Sequence, residues 1–187
     1  MITINQKAPD FTEEAFIDDK IEKISLSDYR GKWVVLFFYP ADFTFICPTE
    51  LRELAINYKQ FRELGAEIIS VSTDTAFVHK AWHDTSESIQ NIAFPMLADP
   101  AKRVTKDYNT LIPEEGLSLR ATFLISPEGI IKAYEFHNND IGRSIHELIR
   151  KLQAAKFTSE NKGQVCPMNW KPGDKTLKPG LDLIGKI

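Results

Sequence analysis

Residues 33–72 read WVVLFFYPADFTFICPTELRELAINYKQFRELGAEIISVS, and this stretch decides the fold. Trp33-Val34-Val35-Leu36-Phe37-Phe38-Tyr39 is a continuous β-branched and aromatic run between Gly31 and Pro40, the pattern of a central strand buried on both faces. Leu51, Leu54, Ala55, Tyr58, Phe61 and Leu64 then recur at helical spacing, and Gly65 supplies a stop. Ala66 to Ser72 reads as a second buried strand. Strand, helix, strand in that order predicts an α/β unit.

Outward from it the alternation continues. The first 30 residues read as short strands and turns. Asp74 or Thr75 can cap a short helix through Ala76, His79, Ala81 and Trp82. Ala121-Thr122-Phe123-Leu124-Ile125 and Ile130–Phe136 are two strands, and Ser126-Pro127-Glu128-Gly129 between them is a hairpin turn. Ser144-x-x-Glu147 reads as a capping box before a helix carrying Ile145, Leu148, Ile149, Leu152 and Ala155. The expectation is a mixed central sheet flanked by helices. Residues 1–157 form the domain and residues 158–187 an extended arm, whose Val165, Trp170, Leu177, Leu181 and Leu183 are too apolar for a solvated linker.

Composition narrows the function. Of 187 residues, 43% are hydrophobic and 26% charged, a globular balance, and the net charge of −3 leaves no basic field to bind nucleic acid. The run from Trp33 to Ala41 falls far short of the roughly 20 apolar residues of a membrane span. The start shows no basic and apolar export pattern, so a cytoplasmic setting is expected. Two cysteines are too few for a disulfide framework and fit transient redox chemistry or inert buried thiols.

Cys47 falls between the buried strand and the long helix. Pro48 is tolerated only near a helix start, which puts Cys47 in the first turn, where unpaired N–H groups and the dipole favour an anion such as a thiolate. By spacing alone it is as compatible with a structural thiol as with a reactive one. Thr44 can cap the helix or donate to a thiolate or bound oxygen. Pro40 ends the strand and can wall a site against water. Phe43 and Phe45 read as core or interface packing. Glu50 suits the first turn by charge and can also orient an arginine. Arg120 is by itself a charge opening a strand.

Pro40-x-x-x-Thr44-x-x-Cys47, followed by Pro48-Thr49-Glu50, resembles the active-site motif of the peroxiredoxins. Val165-Cys166-Pro167-x-x-Trp170 resembles the resolving-cysteine motif of their typical two-cysteine class. VSTDTAFVHKAWH, GLSLRATFLISPEGIIKA and LDLIGKI extend the likeness nearly end to end. The resemblance implies a thioredoxin-like fold and a cysteine peroxidase without metal or haem. It makes Cys47 the peroxidatic residue, Cys166 the resolving one, and Thr44, Arg120, Pro40 and Glu50 the supporting residues. Trp82 matches a family aromatic, which core packing also explains.

The same likeness implies a sulfenic acid on Cys47, and because Cys47 sits in a helix turn its resolution requires that turn to unwind locally, helix ends being the cheap places to do so. A disulfide to Cys166 of a partner subunit then follows, reduced by a flavoprotein disulfide reductase or a thioredoxin-like donor. It further implies a homodimer, five of which form a ring, with the arm packed on the partner. The segment Pro113-Glu114-Glu115-Gly116-Leu117 departs from the double-glycine loop of overoxidation-sensitive members, so resistance to overoxidation is expected. Four readings compete. A thioredoxin-type reductase would need a cysteine where Glu50 stands. A Cys–His hydrolase would use His79, His83, His137 or His146, and an oligomeric holdase or scaffold would need no Cys47. His79-x-x-x-His83 could face one metal, though Lys80 between them would repel it.

Overall fold

The computed structural model describes residues 2–186; the terminal residues, including the Ile187 that closes LDLIGKI, lie outside the described residues. Two compact units are present, Met1–Arg143 and Ser144–Ile187.

In the first unit the elements are β1 (Thr12–Ile17), β2 (Lys20–Ser25), β3 (Trp33–Phe38), α1 (Cys47–Glu63), β4 (Ala66–Ser72), α2 (Ala76–Thr85), β5 (Met96–Ala98), α3 (Arg103–Asp107), β6 (Leu111–Ile112), β7 (Leu117–Ser118), β8 (Arg120–Ile125) and β9 (Ile131–His137). Seven strands form one sheet in the order β2-β1-β5-β4-β3-β8-β9, and β6-β7 pair separately. β3 runs parallel to β4 and antiparallel to β8. Every residue of β3 and β4 is buried, so both faces of the sheet centre are covered, as their unbroken apolar runs predict. Helices α1 and α2 pack on this sheet.

Period-two alternation assigns the faces. Val34, Leu36 and Phe38 of β3 join Ala121, Phe123 and Ile125 of β8 in the main apolar cluster, with Ile69, Val71, Leu97 and Tyr108. Phe37, Arg120 and Thr122 therefore point to the opposite face, on which the functional site is built. Gly65 ends α1 with φ of 76°, a left-handed conformation that glycine adopts without strain. Thr75, not Asp74, caps α2 by accepting from the Val78 N–H.

The second unit contains α4 (Ile145–Glu160), which runs past residue 157. Ser144 accepts from the Glu147 N–H, but the Glu147 carboxylate pairs with Arg150 at 2.7 and 2.9 Å. The expected reciprocal box is thus half of one, since a guanidinium three residues on outbids a backbone N–H. Beyond α4, Val165 and Leu177 form a β-bridge, and the buried Trp170 packs on Phe157 with ring centroids 4.9 Å apart.

Candidate active site

Cys47 is the first residue of α1 and is fully buried. Pro48, second in the helix, has no N–H to lose there. Thr49 and Glu50 both donate to the Ile46 carbonyl, at 3.0 and 3.2 Å. The expected set of unpaired first-turn donors therefore shrinks, because this turn closes its own bonds. The cap residue is Ile46, which makes no side-chain cap bond, so Thr44 does not cap the helix. The Thr44 hydroxyl donates to the Ala41 carbonyl at 2.8 Å, which leaves its oxygen as an acceptor.

Residues three apart share a helix face, so Glu50 stands beside Cys47. Arg120, the first residue of β8, reaches both. Its Nη1 lies 3.3 Å from Cys47 Sγ and 2.9 Å from Glu50 Oε2, while its Nε donates to the Asn139 carbonyl at 2.9 Å. The Asn139 side-chain oxygen also accepts from the Arg120 backbone N–H, at 3.1 Å. Arg120 is thereby held by the chain on two sides, and only 3% exposed.

A second arginine completes the group. Arg143 donates its backbone N–H and Nε to Glu50 Oε1, at 2.8 and 2.9 Å, and Nη2 to Oε2 at 2.8 Å. Its Nη1 donates to the Ala121 carbonyl and to Thr122 Oγ1, and its guanidinium lies 3.3 Å from the centre of the Phe37 ring. A desolvated cation over an aromatic ring is worth about 2 kcal/mol or more. Burial alone would push the Glu50 carboxyl up, but the bonds and charge of Arg143, with the charge of Arg120, outweigh it and hold the carboxyl below its ordinary value. Burial pulls the Arg143 guanidinium down, against the opposing effect of Glu50. One carboxylate thus serves two buried cations, and neither is left unpaired.

The loop from β3 to α1 brings the remaining predicted residues alongside. Pro40 is buried at the end of β3. Phe43 and Phe45 are 58% and 93% exposed, which removes the core half of their expected role. Phe43 has φ of 55°, strained for a residue with a side chain, and its ring packs on the buried Trp82 at 5.8 Å between centroids. In the second unit Cys166 is partly buried. That burial pushes its thiol up, with the charge of Arg150 working the other way.

Residues 4–134 match the model of the AhpC/TSA family, and residues 154–184 match that of the C-terminal domain of 1-Cys peroxiredoxin. The chain belongs to the AhpC/TSA family. As such a peroxiredoxin it is a thiol-dependent peroxidase, which takes a peroxide as substrate and relies on a reductant. It is 48% identical to alkyl hydroperoxide reductase C of Pseudomonas aeruginosa and 46% identical to that of Escherichia coli, in each case over 100% of both chains. Among solved structures it is similar to Enterococcus faecalis AhpC, with a TM-score of 0.86 and 46% identity over 89% of this chain and 100% of that one. It is also similar to reduced Plasmodium vivax 2-Cys peroxiredoxin, with a TM-score of 0.91 and 36% identity over 96% and 94%. The mixed sheet with flanking helices is accordingly thioredoxin-like.

Competing chemistries meet physical obstacles in this peroxiredoxin. Both His79 ring nitrogens are engaged, by Asp42 at 2.8 Å and the Leu97 carbonyl at 3.2 Å, so His79 cannot share a cation with His83. His83 and His137 face Asp84 and Glu135, whereas the Cys47 thiol faces Arg120, a cation unable to act as a base. Sequence reading missed Arg143, Asn139 and the Asp42–His79 pair. Arg143 stood in plain sight one residue before a helix cap, but nothing local marks an arginine as buried. No helix among the described residues is long and apolar enough to cross a membrane.

Proposed function

We propose that Cys47 is the peroxidatic residue of this chain, served by Arg120, Thr44, Pro40 and Glu50, and that Cys166 is the resolving residue. The observation that supports this best is the buried guanidinium 3.3 Å from the Cys47 thiol, itself aimed by Glu50. The Cys47 thiolate attacks one oxygen of a peroxide ROOH, the O–O bond breaks, and the leaving oxygen takes a proton and departs as ROH. Sulfur is oxidised by two electrons to a sulfenic acid. Arg120 stabilises charge on the parting oxygens, Thr44 Oγ1 accepts from the peroxide O–H, and Pro40 keeps water from the sulfur. The substrates are hydrogen peroxide and organic hydroperoxides, the latter in keeping with the name alkyl hydroperoxide reductase C borne by the relatives.

The Cys166 thiolate then attacks the sulfenic sulfur, hydroxide leaves as water, and a disulfide remains for a separate dithiol protein to reduce, a flavoprotein reductase or a thioredoxin-like donor. We place Cys166 on the partner subunit, with the arm of residues 158–187 packed there. β9 is the terminal strand of its sheet and carries the half-exposed Tyr134 and Phe136, a face that favours cover by a second copy. Five such dimers would close the ring common in the family, in a cytoplasmic setting. Stopped-flow loss of hydrogen peroxide in reduced wild type and Cys47→Ser tests the first step: fast loss, abolished by the substitution, is expected. Wild-type loss no faster than with a small-molecule thiol would refute it. Oxidised chains running as monomers on a non-reducing denaturing gel would refute the intersubunit disulfide.

A further inference from the structure

Beneath the loop that leads into Cys47 lies a buried polar cluster that the peroxidase steps above leave unused. Asp42 Oδ1 accepts from the Tyr39 hydroxyl at 2.7 Å, and Oδ2 meets His79 Nδ1 at 2.8 Å, with both side chains of the Asp42–His79 pair fully buried. The other His79 nitrogen faces the Leu97 carbonyl, which can only accept, so that nitrogen carries a hydrogen. The Asp42–His79 contact therefore requires one further proton, whichever partner holds it, and the pair is neutral overall. The Asp42 backbone N–H donates to Asp74 Oδ2 at 2.9 Å, and Ser72 Oγ donates to the same oxygen at 2.7 Å. Tyr39, Asp74 and His79 thus meet on one loop residue, two positions before Thr44.

We propose that Asp42 and His79 are positioning residues that pin the upstream end of the Cys47 turn. They thereby set the balance between the folded turn, which reacts with peroxide, and the unwound turn, which forms the disulfide. This rests on the reading of Cys47 and Cys166 given above. The turn lies between two buried polar anchors, Asp42 before it and Glu50 after it. Between them the hold is weaker except at the buried Cys47: Phe43, Phe45 and Thr49 are exposed, and among the described residues the Thr44 and Thr49 hydroxyls donate to nearby carbonyls, of Ala41 and Ile46. Phe43 keeps its left-handed backbone only while its neighbours hold it, with Asp42 fixed on one side and its own ring on Trp82. Releasing Asp42 lets Phe43 relax to an ordinary φ, and that rotation is transmitted along the chain toward Cys47. Glu50 cannot be loosened in this way without also disturbing Arg120, so the upstream anchor is the one that adjusts the balance alone.

Trp82, 5.8 Å from Phe43 and 6.3 Å from Tyr39 between ring centroids, is a built-in fluorescence reporter of this loop. Reduced full-length protein is mixed with hydrogen peroxide in a stopped flow. This separates a step first order in peroxide from a later step independent of it, the latter verified as disulfide on quenched non-reducing gels. Asp42→Ala is expected to speed the disulfide step about tenfold and to leave the peroxide step no faster, the shift of a turn that unwinds more readily. Asp42→Asn is expected to restore both steps to within about twofold of wild type, because its amide accepts from Tyr39 and donates to His79 Nδ1. A merely structural role would lower stability without changing the ratio of the two steps. An unchanged ratio in folded Asp42→Ala, or Asp42→Asn behaving like Asp42→Ala, overturns the proposal. If Asp42→Ala does not fold, Tyr39→Phe decides: a ratio shifted about threefold in the same direction supports the anchor, and an unshifted one refutes it. Wild type forming no Cys47–Cys166 disulfide would refute the underlying reading as well, whereas a wild-type disulfide with an unmoved ratio sinks the anchor alone.

Discussion

Replacing Glu50 by Gln keeps its size and removes its charge. In one amide orientation the NH₂ faces Arg120 Nη1 and Arg143 Nη2, which the carboxylate now meets at 2.9 and 2.8 Å. In the other it faces the Arg143 backbone N–H and Nε, at 2.8 and 2.9 Å. Either way a donor is set against two donors, and two buried guanidiniums lose the carboxylate they share. Breaking a buried pair from one side costs about 3–5 kcal/mol, so the urea midpoint of reduced Glu50→Gln should fall by that equivalent at fixed protein concentration. Arg120 also loses its orientation toward Cys47. A charged hydrogen bond of about 1.5–3 kcal/mol corresponds to a roughly ten- to hundredfold slower peroxide step in the stopped flow.

Linkage sets the pH signature of the same variant. The Glu50 carboxyl is held below its ordinary value, so its stabilisation is complete above about pH 4.3 and is lost as pH falls through the lowered value. The stability gap between wild type and Glu50→Gln should therefore be flat at neutral pH and close only in acid. A variant as fast as wild type, with a urea midpoint within the equivalent of about 0.5 kcal/mol, would refute the reasoning.

Three further outcomes are expected. Arg120→Lys cannot contact Cys47, Glu50 and the Asn139 carbonyl at once, and should slow the peroxide step roughly a hundredfold; a loss under about threefold would count against the geometry. Gly65→Ala places a side chain at φ of 76° and should lower stability by about 1–2 kcal/mol by urea unfolding, with the peroxide step unaffected. Tyr134→Arg should shift sedimentation of the reduced protein toward monomer if β9 is the subunit contact, and an unchanged sedimentation coefficient would place that contact elsewhere.

The long elements were legible because each repeats its period several times. β3 and β4 are unbroken apolar runs, α1 shows helical spacing across its length, and Pro48 with Gly65 marks its ends. β5 and α3 span only three and five residues, too few to establish any period, and were not foreseen. Of the two roles open to Thr44 the structure removes the cap, because its hydroxyl turns back to Ala41, a choice set by the path of the loop rather than by residue type.

Local chemistry in the sequence therefore determined the strand–helix–strand frame and the place of Cys47 in the first turn of α1. Its helical period also set Glu50 on the same face as the cysteine. What converges on that face was decided by tertiary structure, through the register of β8 on β3, which turns Arg120 and Thr122 away from the core and toward Phe37. Arg120 lies 73 positions from Cys47, and Arg143 lies 93 from Glu50. No pattern with a period of two or 3.6 residues carries information over such separations. The arginines, Asn139 and the Asp42–His79 pair are polar residues whose burial is tolerable only in each other's company, and that company exists only once the sheet has formed.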